Sequence, residues 1–229
     1  MRVAIIQSSY IPWKGYFDII HDCDLFIFLD CVQYTKRDWR SRNQIKTADG
    51  LKWLSIPVGD NCRRMINEVT INDPKWQTVH WKTIERFYSK ASFYHRYKDL
   101  FRDIYLNSRW TSLSQLNQFL IQTICREILS VTTLFSVAAS YPAASSKSDL
   151  ILSLCKTANA TEYVTGPKAK AYLNESQFHD EGIDITYKDY SQYPEYRQFY
   201  PPFVHTVSIL DLIFHNGPNS SYFIWGWRS

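Results

Sequence analysis

Residues 2–29 read RVAIIQSSYIPWKGYFDIIHDCDLFIFL. Arg2 to Ile6 is a short apolar run of β-type residues, and Leu25 to Leu29 is a second; both read as buried strands. Between them Pro12 precedes a helix-like stretch in which Gly15, Phe17, Ile19 and Ile20 lead to Asp22 and Asp24. A strand–helix–strand opening this short is the unit of a parallel sheet. Further along, Asn43–Thr47 and Leu51–Val58 flank the turn signal Ala48-Asp49-Gly50, and Glu68–Ile71 reads as an edge strand. Asp73-Pro74 starts a helix. Helical spacing then runs through Lys75–Lys90, Phe93–Leu106 and Ser112–Ser130, a helical stretch inserted at Pro74 to Ser130. Strand Val131–Val137, helix Asp149–Thr157 capped by Ser148, strand Glu162–Val164, helices at Ala169–Leu173 and Glu175–Glu181, and strand Ile183–Tyr187 complete the alternation. Pro194, Pro201 and Pro202 mark an irregular aromatic loop before a last helix that starts at Ser208. The expectation is one α/β domain over residues 1–229, a Rossmann-like and mostly parallel sheet with a helical insertion at about 74–130.

The chain has 229 residues, 45% of them hydrophobic and 16% aromatic, enough for a substantial core. A net charge of +4 does not demand a nucleic-acid partner. The five cysteines are an odd number with no CxxC spacing, which argues for reduced thiols rather than a disulfide framework or a zinc site. HxH and HExxH are absent, so no metal site is indicated and no cofactor is evident. No apolar run approaches membrane-spanning length and the start lacks a signal-peptide core, so a cytoplasmic protein with no membrane span is expected.

The residues that promise chemistry begin where the second strand ends. Residues 30–43 read DCVQYTKRDWRSRN, and side chains leaving the carboxyl end of a central strand face the crevice where open α/β sheets bind ligands. Lys36, Arg40 and Arg42 form a cationic fork suited to phosphate, Trp39 or Tyr34 offers a face for a base or sugar, and Gln33 and Asn43 offer hydrogen bonds. Arg37 is expected in solvent. Asp30 is a candidate base, although cations beside it would lower its pKa and suit it better to orienting substrate. Cys31 lacks thiol-activating neighbours in sequence. Gln7, Tyr10 and Gly15 lie where the first strand turns into the first helix, and helix-terminal amides favour an anion. Thr165, Gly166 and Lys168 offer amides and an ammonium in the same way, although TGP is also an ordinary loop. Ser208 and Asp211 fit a capping box and so have a structural explanation. His205, just past the Pro201-Pro202 corner, is the second candidate base.

The blocks VAIIQSSYIPWKGYFDII, DLFIFLDCVQYTKRDWRSRNQIKTADGLKWLSIPV and VSILDLIFHNGP, supported by TGPKAKAYL, together resemble the WbqC-like family of bacterial proteins found with polysaccharide and O-antigen gene sets. Two positions depart from the family pattern: Cys31 stands where an acidic residue is usual, and Ser8 where proline is usual. The resemblance implies acyl or aminoacyl transfer, of glycine for example, to the amine of a nucleotide-linked amino-deoxy sugar. Its acyl donor is activated on a carrier protein, on tRNA or with ATP. Two other classes fit the residues. A nucleotidyltransferase-like enzyme matches the strand–PxxGY–helix layout, although Trp13 and Tyr16 stand where such enzymes carry histidines. A non-catalytic sugar-nucleotide-binding accessory protein would bind ligand without turnover.

Overall fold

The computed structural model describes residues 1–142 and 147–228. Five strands form one wholly parallel sheet: β1 (Arg2–Ile6), β2 (Leu25–Phe28), β5 (Leu134–Val137), β6 (Glu162–Thr165) and β7 (Asp184–Tyr187), in the spatial order β5-β2-β1-β6-β7. Along the chain this is the doubly wound order, with the switch point between β1 and β6. Helix α1 (Lys14–His21) follows β1, α5 (Lys147–Thr157) follows β5, and α6 (Glu175–Asp180) follows β6.

Both faces of the sheet are covered, which is why β1 and β2 read as unbroken apolar runs. Val3, Ile5, Ile27 and Leu29 pack with Ile151, Leu154, Cys155 and Phe178 of α5 and α6. Ala4, Phe26 and Phe28 point the other way, into a larger core with Phe17 and Ile20 of α1. That second core is shared with the segment interrupting the sheet between β2 and β5. The segment holds the antiparallel hairpin β3 (Arg42–Thr47) and β4 (Gly50–Ser55), then α2 (Lys75–Tyr88), α3 (Tyr94–Arg102) and α4 (Leu113–Thr123). Gly50 closes the hairpin at φ +103°, a conformation that glycine adopts without steric cost. A final helix, α7 (Ile209–Asn216), packs into the same core.

Some local expectations are corrected. Glu68–Ile71 is not a strand: a 3₁₀ turn covers Ile66–Glu68, and Thr70 makes only an isolated bridge to Ser112. Residues 167–171 form a 3₁₀ turn. Helix α5 begins at Lys147, ahead of the expected cap Ser148, whose side chain lies outside the described residues. The capping box at α7 is half present. Ser208 Oγ accepts from Leu210 N at 3.3 Å, whereas the buried Asp211 carboxylate accepts from Tyr88 Oη (2.9 Å), Tyr196 Oη (2.7 Å) and Gln198 Nε2 (2.8 Å). Ser208 N is already committed to Gln44 O, so Asp211 has no cap donor to answer.

Candidate functional site

The loop from β1 to α1 leaves the sheet beside the switch point, and it is strained. Ile11 sits at φ +36°, in a region that β-branched residues rarely occupy, and it is fully buried. Such a conformation persists only where its surroundings impose it. Asn43 Nδ2 donates to both Tyr10 O (3.1 Å) and Ile11 O (2.9 Å). Tyr10 N donates to Trp39 O and Ile209 N to Pro12 O, each at 2.9 Å. Arg40 Nη1 reaches Gln7 O and Ser8 O at 3.2 Å and Ser9 Oγ at 2.7 Å. Asp30, two residues past β2, accepts from Ser8 N (2.8 Å), Ser114 Oγ (2.5 Å) and Gln118 Nε2 (3.0 Å). Asn117 Nδ2 of α4 adds a bond to Arg40 O at 2.8 Å.

These contacts revise the expected roles. Arg40 Nη1 and Asn43 Nδ2 donate to the first loop, and Arg40 Nη2 lies 3.8 Å from Asp38, so both side chains help to hold the fold. Tyr34 is buried with its hydroxyl on Ser41 Oγ at 2.9 Å, which leaves no face for stacking. Tyr10 is fully buried, its hydroxyl meeting Tyr105 Oη (2.5 Å) and His80 Nδ1 (2.8 Å). Burial holds His80 down to about 4, so the imidazole is neutral at ordinary pH. Gln7 O is taken by Tyr16 Oη and Arg40. Gly15 serves Trp13: a Cβ there would lie 2.3 Å from the indole folded over it. Gln33 is exposed and donates to Cys62 O, and Lys36 is exposed on the same loop. Thr165 and Gly166 end β6 across the switch point, Thr165 buried and Gly166 beneath the Tyr190 hydroxyl, while Lys168 points to solvent. Cys31 is half-buried, and burial raises its thiol, so the thiolate that nucleophilic chemistry requires is disfavoured.

The other side chains of the same loop face outward. Arg37, Asp38, Trp39 and Arg42, with Gln44 and Trp53 of the hairpin and Thr206, line a cleft of about 530 Å³. Trp39 is 42% exposed and Trp53 39%, their ring centroids 5.5 Å apart. The Arg42 guanidinium lies 4.0 Å over the Trp53 ring, and its buried Nε has no hydrogen-bond partner among the described residues. Burial alone would raise the Asp38 carboxyl, but the Thr35 hydroxyl, Arg40, the Trp39 amide and Arg42 together hold it below its usual range. Arg37, expected in solvent, is exposed yet lines the cleft from a loop apex at φ +55°. Asp38, Gln44, Trp53 and Thr206 are cleft residues that the sequence reading missed, Trp53 the largest of them. The hairpin pattern points to it: Gln44 pairs with Trp53 and Arg42 with Ser55, so alternation puts Arg42, Gln44 and Trp53 on one face.

Next to Thr206, His205 is half-buried, packed edge-on against Phe203, and its Nδ1 has no hydrogen-bond partner among the described residues. Burial first, then the neighbouring Lys14 ammonium, lower its pKa against the opposing pull of Glu195, so the imidazole is neutral at pH 7. A separate cavity of about 330 Å³, lined by His21, Cys23, Asp24 and residues 130–133, lies where β2 and β5 begin, at the other end of the sheet. Among the described residues, no group of three or more His, Cys, Asp or Glu side chains is placed to hold a metal ion, and no helix is long and apolar enough to cross a membrane.

The model of the WbqC-like protein family matches residues 7–222, which takes in the strained loop, the cleft, His205 and α7. The chain belongs to the WbqC-like family. An uncharacterized protein of Mycobacterium tuberculosis, Rv1507c, is 43% identical to it over 218 residues, 94% of each chain. No solved structure matches. In this WbqC-like chain the segment after β2 is thus divided between two tasks, with one set of side chains holding the crevice loop and the other lining an open cleft.

Proposed function

We propose that this WbqC-like protein transfers an acyl or aminoacyl group, such as glycyl, to the amine of a nucleotide-linked amino-deoxy sugar in O-antigen or polysaccharide biosynthesis. The observation that carries the reading is the Arg42 guanidinium stacked on Trp53 beside exposed Trp39, all three lining one open cleft. Exposed indoles present π faces to a base, and a guanidinium in the cleft wall suits a diphosphate. Arg37 adds charge at the rim, and Gln44 and Thr206 supply an amide and a hydroxyl. Thr206 lines the cleft and is the chain neighbour of His205, the base assigned to the sugar amine in this reading.

In the reaction the sugar amine attacks the activated carbonyl. A nitrogen–carbon bond forms, the bond from carbonyl carbon to leaving group breaks, and the proton lost by nitrogen passes to a base. A neutral imidazole is suited to that task. Asp30 is assigned to holding the crevice loop, since its two oxygens already accept three hydrogen bonds. The test has two steps. Isothermal calorimetry with UDP and dTDP, at fixed salt, asks whether the cleft binds a nucleotide diphosphate. Mass spectrometry of a nucleotide-linked amino sugar, incubated with glycine on a carrier protein, on tRNA or with ATP, asks for the acylated product. Binding without product from any donor would leave an accessory binding protein, and the absence of binding would sink the cleft assignment.

A further inference from the structure

Lys14 opens α1 and is only 2% exposed. It sits at the positive end of a helix that has no acidic residue in its first turn, an unfavourable place for an ammonium. Its Nζ donates to Pro194 O at 3.2 Å and lies 4.7 Å from the Tyr193 ring centroid, 5.7 Å from that of Tyr196 and 5.9 Å from that of Phe203. Asp18, one helical turn on, is largely committed elsewhere. Its buried carboxylate accepts from Arg228 and from Tyr193 Oη (2.6 Å), and it pairs with Lys188 at 3.2 Å. Phe203 is also the ring against which His205 packs, with centroids 4.6 Å apart. Two basic side chains from distant parts of the sequence therefore converge on one aromatic ring.

We infer that Lys14 is a positioning residue for His205: from its own contact with the Phe203 ring, the ammonium keeps the imidazole in the proton-accepting form. This rests on the reading of His205 as the base in the proposed transfer. Two like charges in a poorly solvated site repel strongly, so protonation of His205 is opposed for as long as Lys14 carries its charge. Burial lowers Lys14 to about 8, so the ammonium is present across the range in which an imidazole titrates. The charged side chains that act on His205 are Lys14 from α1 and Glu195 from the aromatic loop, and Glu195 pulls the other way.

The experiment follows the imidazole resonances of His205 by NMR in the whole protein, without substrate, assigned by their loss in His205→Gln. The wild-type midpoint is expected below the usual 6.5 of an imidazole. Lys14→Met should raise it by about half a unit or more, Lys14→Arg should restore the wild-type value, and Glu195→Gln should lower it. If Lys14→Met does not fold, Lys14→Gln removes the same charge and should raise the midpoint likewise. A wild-type midpoint at or above 6.5, or one that removal of the Lys14 charge leaves unmoved, would overturn the inference. Because the titration needs no substrate, a shifted midpoint in a protein that acylates nothing would uphold the pairing while sinking the transferase reading.

Discussion

Arg40 and Arg42 are two residues apart, and their environments have little in common. Arg40 turns its Nη1 inward onto Gln7, Ser8 and Ser9, alongside Asp30 and Asn43, which serve the same loop. Arg42 stacks on Trp53 in the wall of an open cleft. Charge and residue type are identical, so the difference lies in what each guanidinium touches, loop carbonyls for Arg40 and an exposed indole for Arg42. The inner residues should therefore matter to stability, and the outer ones to ligand affinity.

The sharpest attempt to break this division is Asp30→Ala, which strands Ser8 N and the Ser114 hydroxyl in a buried setting and leaves Gln118 Nε2 only its bond to Ser114 Oγ. Each stranded donor costs about 1–3 kcal/mol, so a loss of about 3–5 kcal/mol in urea unfolding is expected. A variant that melts normally and has lost only turnover would return Asp30 to the role of base. Acid provides a second strong probe of the inner region. His80, hydrogen-bonded to Tyr10, has its folded pKa lowered by burial to about 4, below its usual 6.5 when unfolded. The unfolded state therefore binds the proton first as pH falls. Stability is intact above about pH 6.5, declines below it, and the loss is complete as pH falls through about 4, amounting to about 3 kcal/mol. Melting curves of His80→Gln should be flatter across that window than those of the wild type.

On the outer side, Arg42→Ala should weaken UDP binding by roughly tenfold to a hundredfold, from the loss of one charge-assisted contact, with Tm little changed. Trp53→Ala should do likewise through the loss of stacking and of support for Arg42, a contribution of about 1–3 kcal/mol. Calorimetry beside a thermal melt measures both arms, and a large drop in Tm with unchanged affinity would place Arg42 with the scaffold. Arg37→Ala should give the smallest effect, about twofold to fivefold weaker binding that fades at high salt, because its charge is exposed. An unchanged affinity would confine the cleft to Trp39, Arg42 and the hairpin.

Much of the frame was legible in the sequence. Apolar runs bounded by helical spacing marked β1, α1 and β2, and Ala48-Asp49-Gly50 marked the hairpin. Periodicity reports which face of a regular element is buried, and residues 30–41 belong to none. Nothing in the order of Lys36, Arg37, Arg40 and Arg42 says which of them turns inward. That was decided by the carbonyls of a strained loop some thirty residues earlier. Asp211 was misread for a related reason. Its spacing from Ser208 satisfies a local rule, but Tyr88 and Tyr196 supply stronger donors from distant segments. Trp53 lay within reach of the pattern, since hairpin alternation places it beside Arg42.

The order of the strands also governs how the chain assembles. β1 and β2 are joined by residues 7–24 alone, so their pairing closes a short loop. β5 pairs with β2 across everything from residue 29 to residue 133. The entropy of closing a loop grows with its length, and contacts between distant residues slow folding. The hairpin and three helices between β2 and β5 bring residue 134 beside residue 25. The insertion therefore supports the cleft and also carries the chain from the end of β2 back to its start, where the pairing with β5 begins.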